Sequence, residues 1–422
     1  MKYIDMGEKI KERMKYSIAI LAVVIILAGC KTNDPAPTQQ PITEVPPWEN
    51  GQSAEAVFGH STFTATGLDS VGQNTIPGPW GLTVSANGTL FVVDQRAHRI
   101  LRYNNAATKA SGANADGVLG QKDFISRVWN DSAGGSTPSA TGIETPTSVA
   151  LDAAGNLYVL DQGNQRVLRF DSAATKANGA AANCVLGQQN FASKKSLTTQ
   201  SGFFSPQGVA VDANGTLYVA DGSNHRVLRF NNAAAKTNGA NADGVLGQPD
   251  FTTNSKDSTA NKMSNPTSVA VDNAGNLYVG ERGNSRILIF LNAAAKANGA
   301  NADIVLGKPN FNSGSVPSSA NRGSIYLPYA LAVDGKKNLY VTDGGFNRVL
   351  VYYNAPAKKN GDSADVVIGK NNFNSSSVTA ASAVNIGQPY GIAVQSSTGK
   401  LFVSCYSNSR VLRFQAKSSI AP

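Results

Sequence analysis

An aspartate followed five residues later by an arginine recurs along this chain, as Asp94 and Arg99, Asp161 and Arg166, Asp221 and Arg226, and Asp343 and Arg348. Such a pair could hold an anion or steer a proton. An active site, however, is needed once, so a pair repeated at regular intervals reads as turn-stabilising hydrogen bonds and ion pairs. The chain has three histidines, His60, His98 and His225. His98 and His225 hold the same position in different repeats and His60 lies near the front, so they cannot share a zinc ion. Cys184 and Cys405 fall in different repeats without partners at matching positions, which argues for small buried hydrophobes rather than a disulfide framework. No Gly-x-Ser-x-Gly elbow or Ser/His/Asp set stands out. Acids outside the recurring pairs include Asp131 and Glu144, in a long segment from Ile125 to Thr145 that also carries Arg127 and Trp129. Asp116, Asp243, Asp303 and Asp365 lack the dense oxygen ligands of a calcium loop.

These residues sit in a unit repeated six times, best preserved from Ser205 to Phe230. Its prolines are Pro79, Pro146, Pro206, Pro266, Pro328 and Pro389, spaced by 67, 60, 60, 62 and 61 residues. A period of about 60 holding several short β-like runs predicts a closed ring of similar sheets. In the third unit, Gly208 to Asp212, Thr216 to Asp221 and Arg226 to Phe230 read as strands, separated by turns at 213–215 and 222–225. A polar loop with Asn238-Gly239 follows, and Val245-Leu246 begins a fourth strand. Equivalents of that strand stand at Val118, Val185, Val305 and Val367, while the sixth copy lies at the front, from Ala56 to Phe63. The last unit ends at Phe414 with three strands. The front strand is therefore expected to complete the last blade and close an all-β, six-bladed propeller of four-stranded antiparallel blades spanning 54–414, with 415–422 as a tail.

Pro-x-Gly-Val-Ala-Val-Asp, then Gly-x-Leu-Tyr-Val-x-Asp, then Asn-x-Arg-Val resembles the NHL repeat, from Pro79 to Phe414. Ser85 and Gln395 depart from it after the first strand, Glu281 and Cys405 after the second, and Phe346 replaces the usual asparagine. The resemblance implies that the loop entering each inner strand and the second turn share one face around an axial channel. The residue after each repeat proline then lines its mouth. Tyr329, Tyr390 and Trp80 come from neighbouring blades and are expected to form an aromatic arc, with Thr147, Gln207 and Thr267 as a polar arc opposite. An aromatic wall facing hydroxyl and amide groups suits a sugar, a peptide or a cell-wall fragment. A plug for the channel is the competing role. The long loops add Trp129 as a binding candidate and Phe203, Phe204, Arg322 and Tyr326 as lids or contacts.

Some six-bladed propellers are enzymes, resembling amidating lyases with a histidine-rich zinc centre or lactonases with carboxylates around a divalent ion. Inner strands such as "GVAV" and "ALAV" offer the channel no carboxylate, so no catalytic residue, metal site or cofactor is assigned. The expected role is a binding or scaffold protein for a protein, peptide or glycan. A lyase- or lactonase-type enzyme with a divalent metal held by loop residues such as Glu144 and Asp131 is the alternative.

Ile18 to Ala28 is an apolar run behind Lys9, Lys11, Arg13 and Lys15, too short to span a bilayer as a mature helix and flanked like a secretory signal. It ends in Leu27-Ala28-Gly29-Cys30, which resembles a bacterial lipobox. The resemblance implies removal of residues 1–29, lipidation of Cys30 and attachment to a membrane in the extracytoplasmic cell envelope. Met14 begins a more typical signal than Met1. Residues 30–53, with five prolines, read as an extended tether. Without residues 1–29 the chain keeps 32 basic and 25 acidic residues. Much of the excess comes once per repeat, including the arginines above, and reads as a solvated ring. Together with export this argues against a nucleic-acid partner.

Overall fold

The computed structural model describes residues 45–67, 70–131, 135–378 and 380–422. The signal segment, Cys30 and the first part of the tether lie outside them. Among the described residues no helix is long and apolar enough to cross a membrane.

Six four-stranded antiparallel sheets form a six-bladed β-propeller. In the third blade the strands are Pro206–Val211, Leu217–Asp221, Arg226–Phe230 and Gly244–Leu246, in that order from the axis outward. Proline opens each inner strand, where its missing N–H costs no ladder bond, and the register shifts between Pro206 and Gly208. The inner strands crowd together, which explains their small residues. A Cβ on Gly208 would come within 2.8 Å of the Thr267 carbonyl oxygen.

The cores lie between blades. Tyr158 of the second blade packs with Leu217, Val219 and Leu228 of the third, all fully buried. Five outer strands are covered by an Asn-Gly of the next blade's loop, and the sixth by Ser111-Gly112. Asn238 accepts the Val185 N–H at 2.9 Å, and the Gly239 N–H donates to the Val185 carbonyl at 3.0 Å. Edges that would otherwise template aggregation are thereby paired.

The recurring arginines are not a solvated ring. Arg99, Arg166, Arg226, Arg286, Arg348 and Arg410 are all 0% exposed. Arg226 Nε donates to Asp221 at 2.8 Å, while its Nη2 reaches the Thr199 and Gly202 carbonyls at 2.8 and 3.0 Å. Its Nη1 donates to the Phe251 carbonyl. A planar five-donor group can staple the turn to both flanking loops, which explains its burial. Burial pushes the Asp221 carboxyl up to about 6 against the opposing pull of Arg226. The lysine half of the pattern is partly exposed: Lys236 pairs with Asp243 at 2.8 Å, and Asp243 also accepts the Asn231 N–H.

The front strand, Ala56–Phe58, pairs antiparallel with Arg410–Gln415 and completes the sixth blade, as expected. Folding nevertheless starts earlier than residue 54. Trp48 is 1% exposed, meets Tyr340 edge-on at 5.9 Å and donates its indole N–H to the Tyr340 hydroxyl at 2.7 Å. Asn50 and Gly51 supply the fifth blade's Asn-Gly clasp, on Val367. Residues 415–422 also pack: the Lys417 N–H donates to the Pro47 carbonyl at 2.9 Å, and Ile420 is buried.

The residue before each recurring arginine adopts the left-handed conformation, and all but Ser285 link blades through their side chains. His98, Gln165 and His225 accept the backbone N–H of Thr145, Ser205 and Asn265 at 3.1, 2.5 and 3.1 Å. As an acceptor at Nδ1, His225 is neutral, and burial together with Lys256 holds its pKa below the usual imidazole value. The unfolded chain therefore takes up this proton at a higher pH than the fold does. Stability from this link is full above about 6.5 and declines as pH falls toward the depressed folded value. Gln165 shows that an amide serves the same link. His225→Gln should keep neutral-pH stability and lose less than the parent at pH 5, measured by urea unfolding. An equal loss in both proteins would remove His225 from the acid response.

Candidate functional site

The residues after the repeat prolines converge at one end of the axis because the inner strands are in register around a closed ring. The aromatic arc forms. Trp80 stacks on Tyr390 at 4.2 Å with 8° between planes, and Tyr329 meets Tyr390 at 4.2 Å and 64°. Trp80 and Tyr329 are 6.5 Å apart. All three rings are half-buried. Burial and the neighbouring Tyr329 raise the Tyr390 hydroxyl pKa. The closing blade fits tightly here: a Cβ on Gly391 would overlap the Trp80 carbonyl oxygen at 1.9 Å.

Three further residues extend the arc. Tyr406 meets Trp80 at 5.4 Å and Tyr390 at 5.0 Å, both edge-on. The Arg96 guanidinium lies 4.7 Å above the Tyr406 ring, and its Nε donates to the Tyr406 hydroxyl at 3.1 Å. Arg282 lies 5.8 Å over Tyr329 at the other end. Tyr406 and Arg282 hold the first position of the second turn, occupied by Gln95, Gln162, Gly222 and Gly344 in other blades. Sequence reasoning missed them because only the residue after each proline was compared. Aligning the second turns would have exposed both exceptions.

The polar arc is largely committed to structure. The Thr147 hydroxyl donates to the Gln207 carbonyl at 3.0 Å and that of Thr267 to the Pro328 carbonyl at 2.7 Å, each tying its blade to the next. Both threonines are buried, while Gln207 stays half-buried at the rim. These inter-blade bonds engage both hydroxyls. Trp129 is 46% exposed and meets the His98 ring at 5.9 Å, making no ring contact with the arc. Glu144 accepts from Asn130 at 3.0 Å and lies 3.8 Å from Lys194. Phe203 is fully buried and Phe204 44% exposed. Arg322 stacks over Phe373 at 5.0 Å and Tyr326 packs on Phe346 at 5.5 Å.

Beneath the arc the channel is narrow. A cavity of about 50 Å³ lies against Tyr329 and Tyr390, and one of about 160 Å³ farther along is lined by aliphatic side chains such as Val149, Val209 and Val269. The smaller volume holds only a few waters. Among the described residues, no three His, Cys, Asp or Glu side chains gather as a metal-ligand set. His60 is engaged with the Asn408 carbonyl at 3.1 Å, in a different blade from His98 and His225.

Teneurin-4 of Homo sapiens is 26% identical over 232 residues, 51% of this chain, and the mouse protein matches equally. The chain spans 8% of the length of these curated relatives. A protein of unknown function from Bacteroides thetaiotaomicron aligns with a TM-score of 0.49 at 14% identity, covering 85% of this chain and 75% of that one. Virginiamycin B lyase from Staphylococcus aureus aligns with a TM-score of 0.41 at 13% identity, covering 83% and 88%. The NHL repeat model matches residues 203–230 and 263–290, the third and fourth of six blades built alike. The chain carries NHL repeats and closes them into a six-bladed β-propeller.

Proposed function

We propose that this chain is a binding or scaffold protein of the cell envelope, exported and held to a membrane through lipidated Cys30. Its propeller offers one face to a protein, peptide or glycan partner. The observation that carries this reading is the cluster of Trp80, Tyr329, Tyr390 and Tyr406, aromatic exceptions in an otherwise regular repeat, gathered at one mouth of the ring. Large amphipathic rings held rigidly by one another lose little entropy on contact and present both apolar surface and hydroxyls. A rigid ring of paired edges suits display, and a tether behind it suits reach.

Replacing Trp80 and Tyr390 by alanine should abolish binding of cell-wall fragments or displayed peptides that the parent retains, read by titration calorimetry. Binding that survives both changes would put the site elsewhere. The enzyme alternative draws its ligands from loop residues such as Glu144, and metal analysis separates the two. A stoichiometric, tightly held ion in the purified protein would favour the enzyme.

A further inference from the structure

Resting on that binding role, we infer that the occupant of the aromatic face is an acidic segment of another protein, whose carboxylates seat on Arg96 and Arg282. Two exposed guanidiniums bracket the arc, one 4.7 Å above Tyr406 and the other 5.8 Å over Tyr329. Among the described residues neither forms an ion pair, whereas five of the six buried repeat arginines have a carboxylate on Nε. The arc lies over a cavity of about 50 Å³, so the partner must rest on the rings rather than enter the channel.

Trp, Tyr and Arg in one patch is the composition of protein contact surfaces whose truncation costs most. Covering Arg96 and Arg282 with a neutral surface would strip water from two charges without return, so a matching partner brings carboxylates. Guanidiniums already laid against rings need little further ordering to take them in forked geometry. An extended segment with Asp or Glu flanking an apolar residue satisfies both ends and the stacked centre.

The test selects a displayed library of random short peptides on the full chain, with polygalacturonate as an acidic glycan control. Recovered peptides that need Trp80 should be enriched in Asp and Glu. Their affinity should fall roughly tenfold or more in Arg96→Ala/Arg282→Ala, the scale of a lost charge-assisted contact. Arg96→Lys/Arg282→Lys should fall between, and affinity should drop with added salt. Trp80-dependent peptides without acidic enrichment, or indifferent to the arginines, would overturn the acidic occupant and leave the binding face intact. Trp80-dependent binding of polygalacturonate without peptides would replace a protein partner by a glycan. Failure to recover any Trp80-dependent ligand would overturn the binding role itself.

Discussion

Deleting residues 45–63 should abolish the cooperative fold, with circular dichroism showing no sharp thermal transition. The segment supplies more than one strand. Ala56–Phe58 is the outer strand of the sixth blade, and Val57 and Phe58 are fully buried. Glu55 meets Arg413 at 2.5 Å and Lys400 at 2.6 Å, while Arg413 reaches across to the Ala106 and Lys109 carbonyls of the first blade at 2.6 and 2.8 Å. Asn50 and Gly51 cover the fifth blade's edge. The segment thus touches three consecutive blades, and its loss opens two sheet edges together with the seam of the ring.

Trp48→Ala isolates one contact within that latch. It removes a buried indole and leaves the Tyr340 hydroxyl without its donor, while that hydroxyl still donates to Asp334 at 2.7 Å. Truncating a buried aromatic of this size costs about 3–5 kcal/mol, read by urea unfolding. An unchanged midpoint in Trp48→Ala would make residues 45–53 the extended tether that their prolines suggest. A sharp transition in the deletion would show that the ring closes without its front strand.

The repeat's period and the phase of its fourth strand made the ring and its closure legible, because both follow from strand and turn chemistry that recurs. The early start was also legible, in principle. "NGQSAEAVFGH" from Asn50 matches "NGANADGVLGQ" from Asn238, but prolines at 46 and 47 drew the boundary to 54. Burial of the arginines was not legible. Nothing in Asn-x-Arg-Val says that the guanidinium turns inward, since that depends on carbonyls 24 to 27 residues away, at Gly202 and Thr199. At the mouth, Trp80, Tyr329 and Tyr390 were found because they break the repeat. The inter-blade bonds of Thr147 and Thr267 were not legible, because a polar residue near an axis can serve the neighbouring blade as readily as a ligand.

Five blades place a carboxylate on the buried arginine and the sixth does not, which yields opposite expectations for two substitutions. Asp221→Ala should destabilise by about 3–5 kcal/mol, because it strands a fully buried guanidinium. It also removes the acceptor of the Phe204 N–H and one acceptor of the Asn224 amide, which donate to the same carboxylate at 2.7 and 2.8 Å. Replacing Arg226 as well should cost less than the sum of the single changes, since the uncompensated charge goes with it. In the sixth blade Cys405 stands where the carboxylate belongs, its thiol pushed up to about 11 by burial despite Arg410. Arg410 keeps its carbonyl partners at Ser382 and Asn385, at 3.0 and 2.8 Å, but its Nε has no acceptor. That cation is already desolvated, so the charge-assisted bond that Cys405→Asp adds is offset only by burial of the new carboxylate, the effect that raises the Asp221 pKa. A gain of about 1–3 kcal/mol in urea unfolding is the expected result, with Cys405→Ser near the parent. A lower midpoint for Cys405→Asp would mean that burying the new carboxylate costs more than its bond to Arg410 returns.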